Sequence, residues 1–117
     1  MSKKIGFKTN LDEDIVRELK ILATIGEIDV NDILEPLIEY YLYPNPNLRE
    51  IILFKLLTKK ARNNTLPLTI CKMVLRVEEG ELNSILKELQ NKGCIVLEED
   101  GKHISITDAG KDQSLWK

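Results

Sequence analysis

The first 43 residues most constrain what this chain can fold into, because they hold one short alternating segment and two helical patterns. Along residues 4–11, one face of the segment carries Ile5, Phe7, Thr9 and Leu11, and the other carries Lys4, Gly6, Lys8 and Asn10. Alternation with a period of two is typical of a half-buried strand. One strand and two short helices bury little apolar surface, so we expect a second chain to complete their core.

Helical spacing of apolar residues follows this segment twice. Asp12 is a suitable N-cap, and the pattern predicts a helix over about residues 12–25, closed by Gly26. A second helix follows Asp29. Because Pro36 removes a backbone N–H donor, we expect this helix either to kink or to begin later, near Asp32.

Two prolines and two asparagines at residues 44–47 mark the clearest boundary in the chain. We therefore predict a domain over residues 1–43, a linker over 44–47 and a second domain over 48–117. In the second domain the pattern predicts helices over about 48–62 and 78–92, with a turn at 63–67. A short helix capped by Thr69 ends near Arg76, and strands at 94–97 and 103–106 flank an acidic hairpin turn.

Charge is arranged in bands along the 117 residues, whose net charge is −2. Residues 1–43 hold five Lys and Arg against nine Asp and Glu, and residues 77–117 again hold five against nine. Residues 48–76 hold seven basic residues, among them Lys60 and Arg62, against one Glu. Two basic zones, the leading lysines and residues 48–76, therefore lie within an acidic frame.

Several classes of protein do not fit this sequence. No apolar run has the length of a membrane span, and no hydrophobic signal core follows the N-terminus, so we expect an intracellular, cytoplasmic protein of a prokaryotic or viral host cell. Cys71 and Cys94 have neither CxxC spacing nor clustered histidines, which favours buried thiols over a disulfide or a zinc site. We find no pattern of catalytic residues, and we predict no enzyme activity, no cofactor and no metal.

Segments 4–11, 12–19 and 26–33 resemble the ribbon-helix-helix family of DNA-binding proteins. In that family two chains pair their strands into a ribbon that lies in the major groove. The resemblance implies a homodimer formed through the N-terminal strands and DNA contacts at Lys4, Gly6, Lys8, Asn10, Val30 and Asn31. Lysine and asparagine suit guanine and adenine edges. The alternative is a strand that only dimerises the protein.

Segments 77–95 and 106–110 resemble the winged-helix family, in which three helices precede a two-stranded wing. The resemblance implies DNA contacts at Asn83, Ser84, Lys87 and Lys102. Acids at residues 78, 79, 81 and 98–100 depart from the family pattern, since carboxylates weaken binding to phosphates. The alternative use of this domain is contact with a protein partner.

The sequence therefore predicts a mainly α fold with small β elements (α+β), in which an N-terminal ribbon-helix-helix precedes a C-terminal winged helix-turn-helix. The expected function is that of a dimeric, sequence-specific double-stranded DNA-binding protein. Such a protein acts as a transcriptional repressor or as an operator- or centromere-binding factor of a plasmid, virus or chromosome. The alternative is an assembly adaptor whose acidic winged helix binds a protein, with DNA contact secondary.

Overall fold

Five helices and a small antiparallel sheet make up the computed structural model, which describes residues 4–6, 8–44, 47–59 and 65–116. The helices are α1 Glu13–Gly26, α2 Val30–Leu42, α3 Leu48–Lys59, α4 Leu68–Leu75 and α5 Glu79–Asn91. The strands are β1 Thr65–Pro67, β2 Ile95–Leu97 and β3 His103–Ile106, in the order β1-β3-β2. Two short 3-10 helices, Ala109–Lys111 and Gln113–Trp116, end the described chain.

The predicted fold class is wrong, because the N-terminus forms no ribbon strand. Residues 4–6 and 8–12 lie outside any helix or strand, and the first regular element is α1. The alternation predicts that one face of residues 4–11 is buried, but this face is exposed to solvent. Ile5 is 86% exposed and Leu11 is 44% exposed. A strand needs a neighbouring strand to satisfy its backbone groups, and alternation alone does not supply one. Phe7, the other large apolar residue of that face, lies outside the described residues.

The sheet contains a strand that the sequence analysis assigned to a turn. β1 pairs antiparallel with β3, so that Leu66 lies opposite Ile104, and β2 pairs with the other edge of β3. Leu66 and Ile104 are both fully buried or nearly so. Pro67 then precedes α4, and Thr69 lies inside that helix rather than at its N-cap. Residues 45, 46 and 60–64, including Lys60 and Arg62, are outside the described part of the chain.

The end of α1 differs from the expected glycine cap in an informative way. Gly26 is the last helical residue, and Glu27 adopts the left-handed conformation at φ 53° that a C-terminal glycine usually takes. A Cβ on Gly26 would lie 2.7 Å from Leu56 Cδ2 and 3.4 Å from Val74 Cγ2. The absent side chain therefore lets α1 approach α3 and α4 closely, and the turn itself is left to Glu27.

α2 begins at Val30 and runs through Pro36 without interruption, so the expected late start is wrong. Asp32 in its first turn is buried and accepts hydrogen bonds from Lys59 Nζ at 2.8 and 2.9 Å and from the Asp29 N–H at 2.9 Å. Burial alone would raise the pKa of Asp32, but these donors and the charge of Lys55 outweigh it, and the pKa is lowered. This pair ties the start of α2 to the end of α3.

A single apolar core runs through both halves of the described chain. It joins Ala23 of α1 and Ile33 of α2 to Leu53 and Leu57 of α3 and to buried residues of α4, α5 and the sheet. Trp116 closes this core at its far end, where its ring meets Phe54 edge-on at 5.4 Å between centroids. None of the helices in the described ranges combines the length and apolar character that a membrane span requires.

Truncating Trp116 tests whether the C-terminal turn is part of this core. Trp116 is fully buried, and its Nε1–H donates to the Gly110 carbonyl at 2.8 Å. We expect Trp116→Ala to lower the free energy of unfolding by about 3–5 kcal/mol, measured by urea denaturation followed by circular dichroism. Leu115→Ala, at a neighbouring exposed side chain, should cost far less. Equal losses in the two variants would contradict the described packing.

The Asp32–Lys59 pair predicts a pH-dependent contribution to stability. Because Lys59 is partly exposed, we expect Asp32→Asn to cost about 1–2 kcal/mol at neutral pH. The folded state lowers the pKa of this carboxyl. The difference between parent and variant should therefore be complete above the ordinary value of 3.8 and should disappear as the pH falls through the lower, folded-state value. Glu35→Gln, which alters an exposed pair with Lys4, is the control.

Candidate nucleic-acid interface

The outward face of α5 is the most regular polar surface in the second half of the chain. Its inward face buries Leu82, Ile85, Leu86 and Leu89 at helical spacing. The opposite stripe is exposed and consists of Gly80, Asn83, Ser84, Lys87 and Asn91. This stripe carries amide, hydroxyl and ammonium groups, and the exposed Glu88 carboxylate, one turn after Ser84, lies at its edge. A Cβ on Gly80 would meet no atom within 4 Å, so the helix surface there is open.

The acids of α5 lie at its sides and its start rather than on this stripe. Glu81 pairs with Arg49 of α3 at 3.4 Å, and Glu88 pairs with Lys92 at 3.6 Å. Glu78 and Glu79 are exposed at the N-terminus of the helix, where negative charge suits the helix dipole. The three acids of this helix that the sequence analysis named, Glu78, Glu79 and Glu81, therefore flank the outward face, and Glu81 is paired.

α4 presents a cationic surface next to α5. Cys71, Val74 and Leu75 are buried, and the opposite face exposes Thr69, Lys72, Met73 and Arg76. Arg76 ends the helix in the left-handed conformation at φ 53°, and its N–H donates to the Lys72 carbonyl at 3.1 Å. Arg76 also lies at the rim of a shallow groove with Asp14 and Glu18 of α1, so those carboxylates offset part of its charge. Lys72 is therefore the stronger candidate for an anion contact.

The β2–β3 hairpin brings Lys102 to the start of α4. The Leu68 N–H, in the first turn of α4, donates to the Lys102 carbonyl at 2.9 Å. Asp100 accepts from the Lys102 N–H at 2.8 Å and contacts His103 Nδ1 at 2.7 Å. The Lys102 N–H and then His103 lower the pKa of Asp100. His103 is thus held by the hairpin itself.

The acids of the hairpin differ in how far they are engaged. Glu98 accepts a hydrogen bond from the Ser105 hydroxyl, and Asp100 is held as described above. Glu99 is exposed at the tip. The tip therefore keeps a negative charge, whereas the base of the hairpin presents Lys102.

The N-terminal candidates lie elsewhere. Gly6, Lys8 and Asn10 are exposed, and Lys4 binds Glu35 of α2 at 2.8 Å. At the start of α2, Val30 is half-buried and packs against the core. Asn31 lines a cleft of about 330 Å³ that also holds four acids, Asp29, Asp32, Glu35 and Glu39, and three lysines, Lys4, Lys55 and Lys59. Lys4 and Lys59 are paired with acids of the cleft, so the carboxylates there do not favour a phosphate.

The structure thus brings some of the predicted site residues together and keeps others apart. Asn83, Ser84 and Lys87 share one helix face, and Lys102 lies beside α4, whereas the six N-terminal candidates form no strand with them. The sequence analysis did not single out Thr69, Gly80, Arg76 and Asn91 as site residues. Helical spacing opposite the buried leucines of α5 and opposite Cys71, Val74 and Leu75 of α4 is the signal that finds them.

The described residues contain no group of three or more His, Cys, Asp or Glu side chains placed to hold a metal ion. Both cysteines are buried, and burial raises the pKa of the Cys71 thiol to about 12. Comparison of the chain with protein-family models, with curated proteins and with solved structures gives no match. The two family resemblances therefore rest on the sequence motifs alone.

The Arg49–Glu81 pair tests whether the outward face of α5 meets a polyanion. Arg49→Ala releases the Glu81 carboxylate beside this face, and we expect it to weaken binding of a DNA duplex by up to about fivefold. Adding Glu81→Gln to the same chain should restore the affinity. Fluorescence anisotropy at low salt measures both. Unchanged affinity in Arg49→Ala would place the duplex away from this side of α5.

Proposed function

We propose that the protein binds double-stranded DNA through the outward face of α5, with α4 and the base of the hairpin against the phosphate backbone. The observation that carries the proposal is the polar stripe on α5, whose bordering carboxylates, Glu81 and Glu88, are paired with Arg49 and Lys92. A helix fits the major groove, where amide groups pair with adenine and lysine pairs with guanine. Asn83, Lys87 and Asn91 supply those groups, and the Ser84 hydroxyl, which donates to the Gly80 carbonyl at 3.1 Å, can accept from a base amino group.

Contacts to phosphates would come from the neighbouring cations. Lys72 and Arg76 lie on the exposed side of α4, and Lys102 lies next to the first turn of that helix. Phosphate contacts supply affinity and position the protein, whereas contacts to base edges select the sequence. With a net charge of −2 the chain has little general attraction for DNA, so its binding depends on this local grouping.

The resemblance of residues 48–117 to winged-helix proteins stays a prediction, and the order of α4, α5 and the hairpin supports it. On this proposal the protein acts inside the cell as a sequence-specific regulator. It would be a transcriptional repressor or a factor that binds an operator or centromere of a plasmid, virus or chromosome. The ribbon does not enter the proposal.

The second candidate function is that of an assembly adaptor, and the hairpin favours it. Glu99 at the tip is exposed next to Glu98 and Asp100, so the tip would be repelled by DNA phosphates. An acidic tip suits a basic patch on a protein partner. One simple experiment distinguishes the two functions. It tests whether the chain binds a duplex at all at low salt.

Substitutions at Lys87 and Lys72 separate base contacts from backbone contacts. We expect Lys87→Ala to weaken binding to a duplex selected from a random-sequence pool by about fivefold to a hundredfold, with much less effect on unselected DNA. Lys72→Ala should weaken binding to both duplexes alike and reduce the salt dependence by about one counterion. Anisotropy titrations at several salt concentrations measure these effects.

Lys111→Ala is the matched control, because it removes the same charge from an exposed side chain on the C-terminal 3-10 helix. It should leave affinity for both duplexes unchanged. If the parent chain binds no duplex at low salt, DNA binding is excluded and the adaptor is favoured. If Lys111→Ala weakens binding as much as Lys87→Ala, the attraction is general and α5 is not the reading element.

A further inference from the structure

The C-terminal end of α2 is apolar on most sides and yet is exposed to solvent. Tyr41 is 85% exposed and Tyr43 is 73% exposed. The exposed apolar residues of this end are Leu37, Ile38, Tyr40, Tyr41, Leu42 and Tyr43. In contrast, the first half of α2 buries Asp32, Ile33 and Pro36 against the rest of the chain. We call residues 37–43 the α2 end.

A helix segment that is apolar on most sides normally packs against other parts of a protein. The α2 end exposes on the order of 700 Å² of residue surface, tyrosine hydroxyls included, which is comparable with the largest apolar patch of a typical monomer at roughly 300–600 Å². A standard interface buries about 800 Å² on each partner. The α2 end alone therefore supplies most of the area that a stable protein–protein contact needs.

The charges near this segment argue for a protein surface rather than a lipid surface. Within the α2 end, Glu39 is the one charged residue, and Glu35 lies a turn before it. Helices that bind membrane surfaces carry Lys and Arg on their polar side, because cellular lipids are partly anionic. The α2 end carries no Lys or Arg, so a protein groove with an apolar lining and a positively charged edge suits it better than a lipid surface does.

Such a groove exists on α1 of the same chain. It is shallow, has a volume of about 310 Å³ and is lined by Ile21, Ile25, Thr24, Arg17 and Lys20. Ile21 is 46% exposed at this groove. Its lining is mainly apolar and lies on the outward face of α1. Arg17 is paired with Asp14 at 2.8 Å and with Glu13 at 3.2 Å, so Lys20 supplies the positive charge that complements Glu39. We call this groove the α1 seat.

We propose that a second copy of the chain completes the N-terminal helices, with the α2 end of each copy lying in the α1 seat of the other. The exchange is reciprocal, so it closes as a two-fold dimer. Each chain contributes an α2 end and an α1 seat, which brings the buried area to that of a standard interface. The dimer forms through helices, in place of the strand pairing expected from the sequence.

Two substitutions test the two sides of this contact in the full chain. We expect the parent protein to sediment at equilibrium as a dimer of 13.4 kDa chains. Tyr41→Lys should raise the dimer dissociation constant by roughly tenfold or more, because it places a cation against Lys20. Ile21→Glu should do the same, because it places an acid opposite Glu39. Both sites are exposed in one chain, so thermal unfolding of the monomer should change little.

Val96→Lys, at a side chain 49% exposed on β2, is the control and should leave the dimer intact. Mixing the two interface variants gives the sharpest result. A mixed dimer keeps one unaltered α2 end in one unaltered α1 seat, so the mixture should dimerise when neither variant does alone.

Four results would overturn the proposal. The first is a parent chain that stays monomeric at the highest attainable concentration. The second is a dimer that survives Tyr41→Lys. The third is a monomer that co-floats with phosphatidylcholine vesicles, which would assign the α2 end to a lipid surface. If Ile21→Glu leaves the dimer intact while Tyr41→Lys dissolves it, the α2 ends contact each other and the reciprocal exchange is wrong.

Discussion

The close approach at Gly26 is the constraint on which the rest of the structure depends. A side chain there would meet Leu56 of α3 and Val74 of α4, two residues at the centre of the second half. With no side chain, α1 ends against that core, and Ala23, Ile28 and Ile33 bury beside it. The ion pair between buried Asp32 and partly exposed Lys59 then fixes the start of α2 on the end of α3. The first two helices are thereby joined to a core that they could not form alone.

This arrangement leaves two exposed surfaces that are available for binding. The inward faces of α4 and α5 pack in the core, and their outward faces carry polar and cationic side chains. Two acids at the sides of α5, Glu81 and Glu88, are paired with Arg49 and Lys92. The first half of α2 likewise packs in the core, whereas its C-terminal end is apolar and exposed. On our proposals the first surface meets DNA and the second meets another copy of the chain.

The parts of the fold that could be predicted from the sequence are those with a local cause. α1 and α5 follow from repeated apolar spacing, and their boundaries lie within one residue of those expected. The ribbon was wrong because alternation in residues 4–11 shows only that one face could be buried, and burial needs a neighbour that no local pattern specifies. β1 was missed for the same reason, since Leu66 becomes a strand residue only by pairing with distant Ile104. The pairing of Arg49 with Glu81, which contributes to the polar character of the α5 face, could not be predicted either, because the two residues are far apart in sequence.

A photocrosslinker attached to a single new cysteine tests the central claim most directly, which is that α5 faces DNA. Cys71 and Cys94 are buried, so a thiol-directed reagent should label only Ser84→Cys or, in a matched sample, Ser114→Cys on the C-terminal turn. Mixed with a selected duplex, the Ser84→Cys conjugate is expected to crosslink to bases within the bound site, and the Ser114→Cys conjugate is expected to give little product. Equal crosslinking from both positions, or none from Ser84→Cys while the duplex remains bound, would contradict the account.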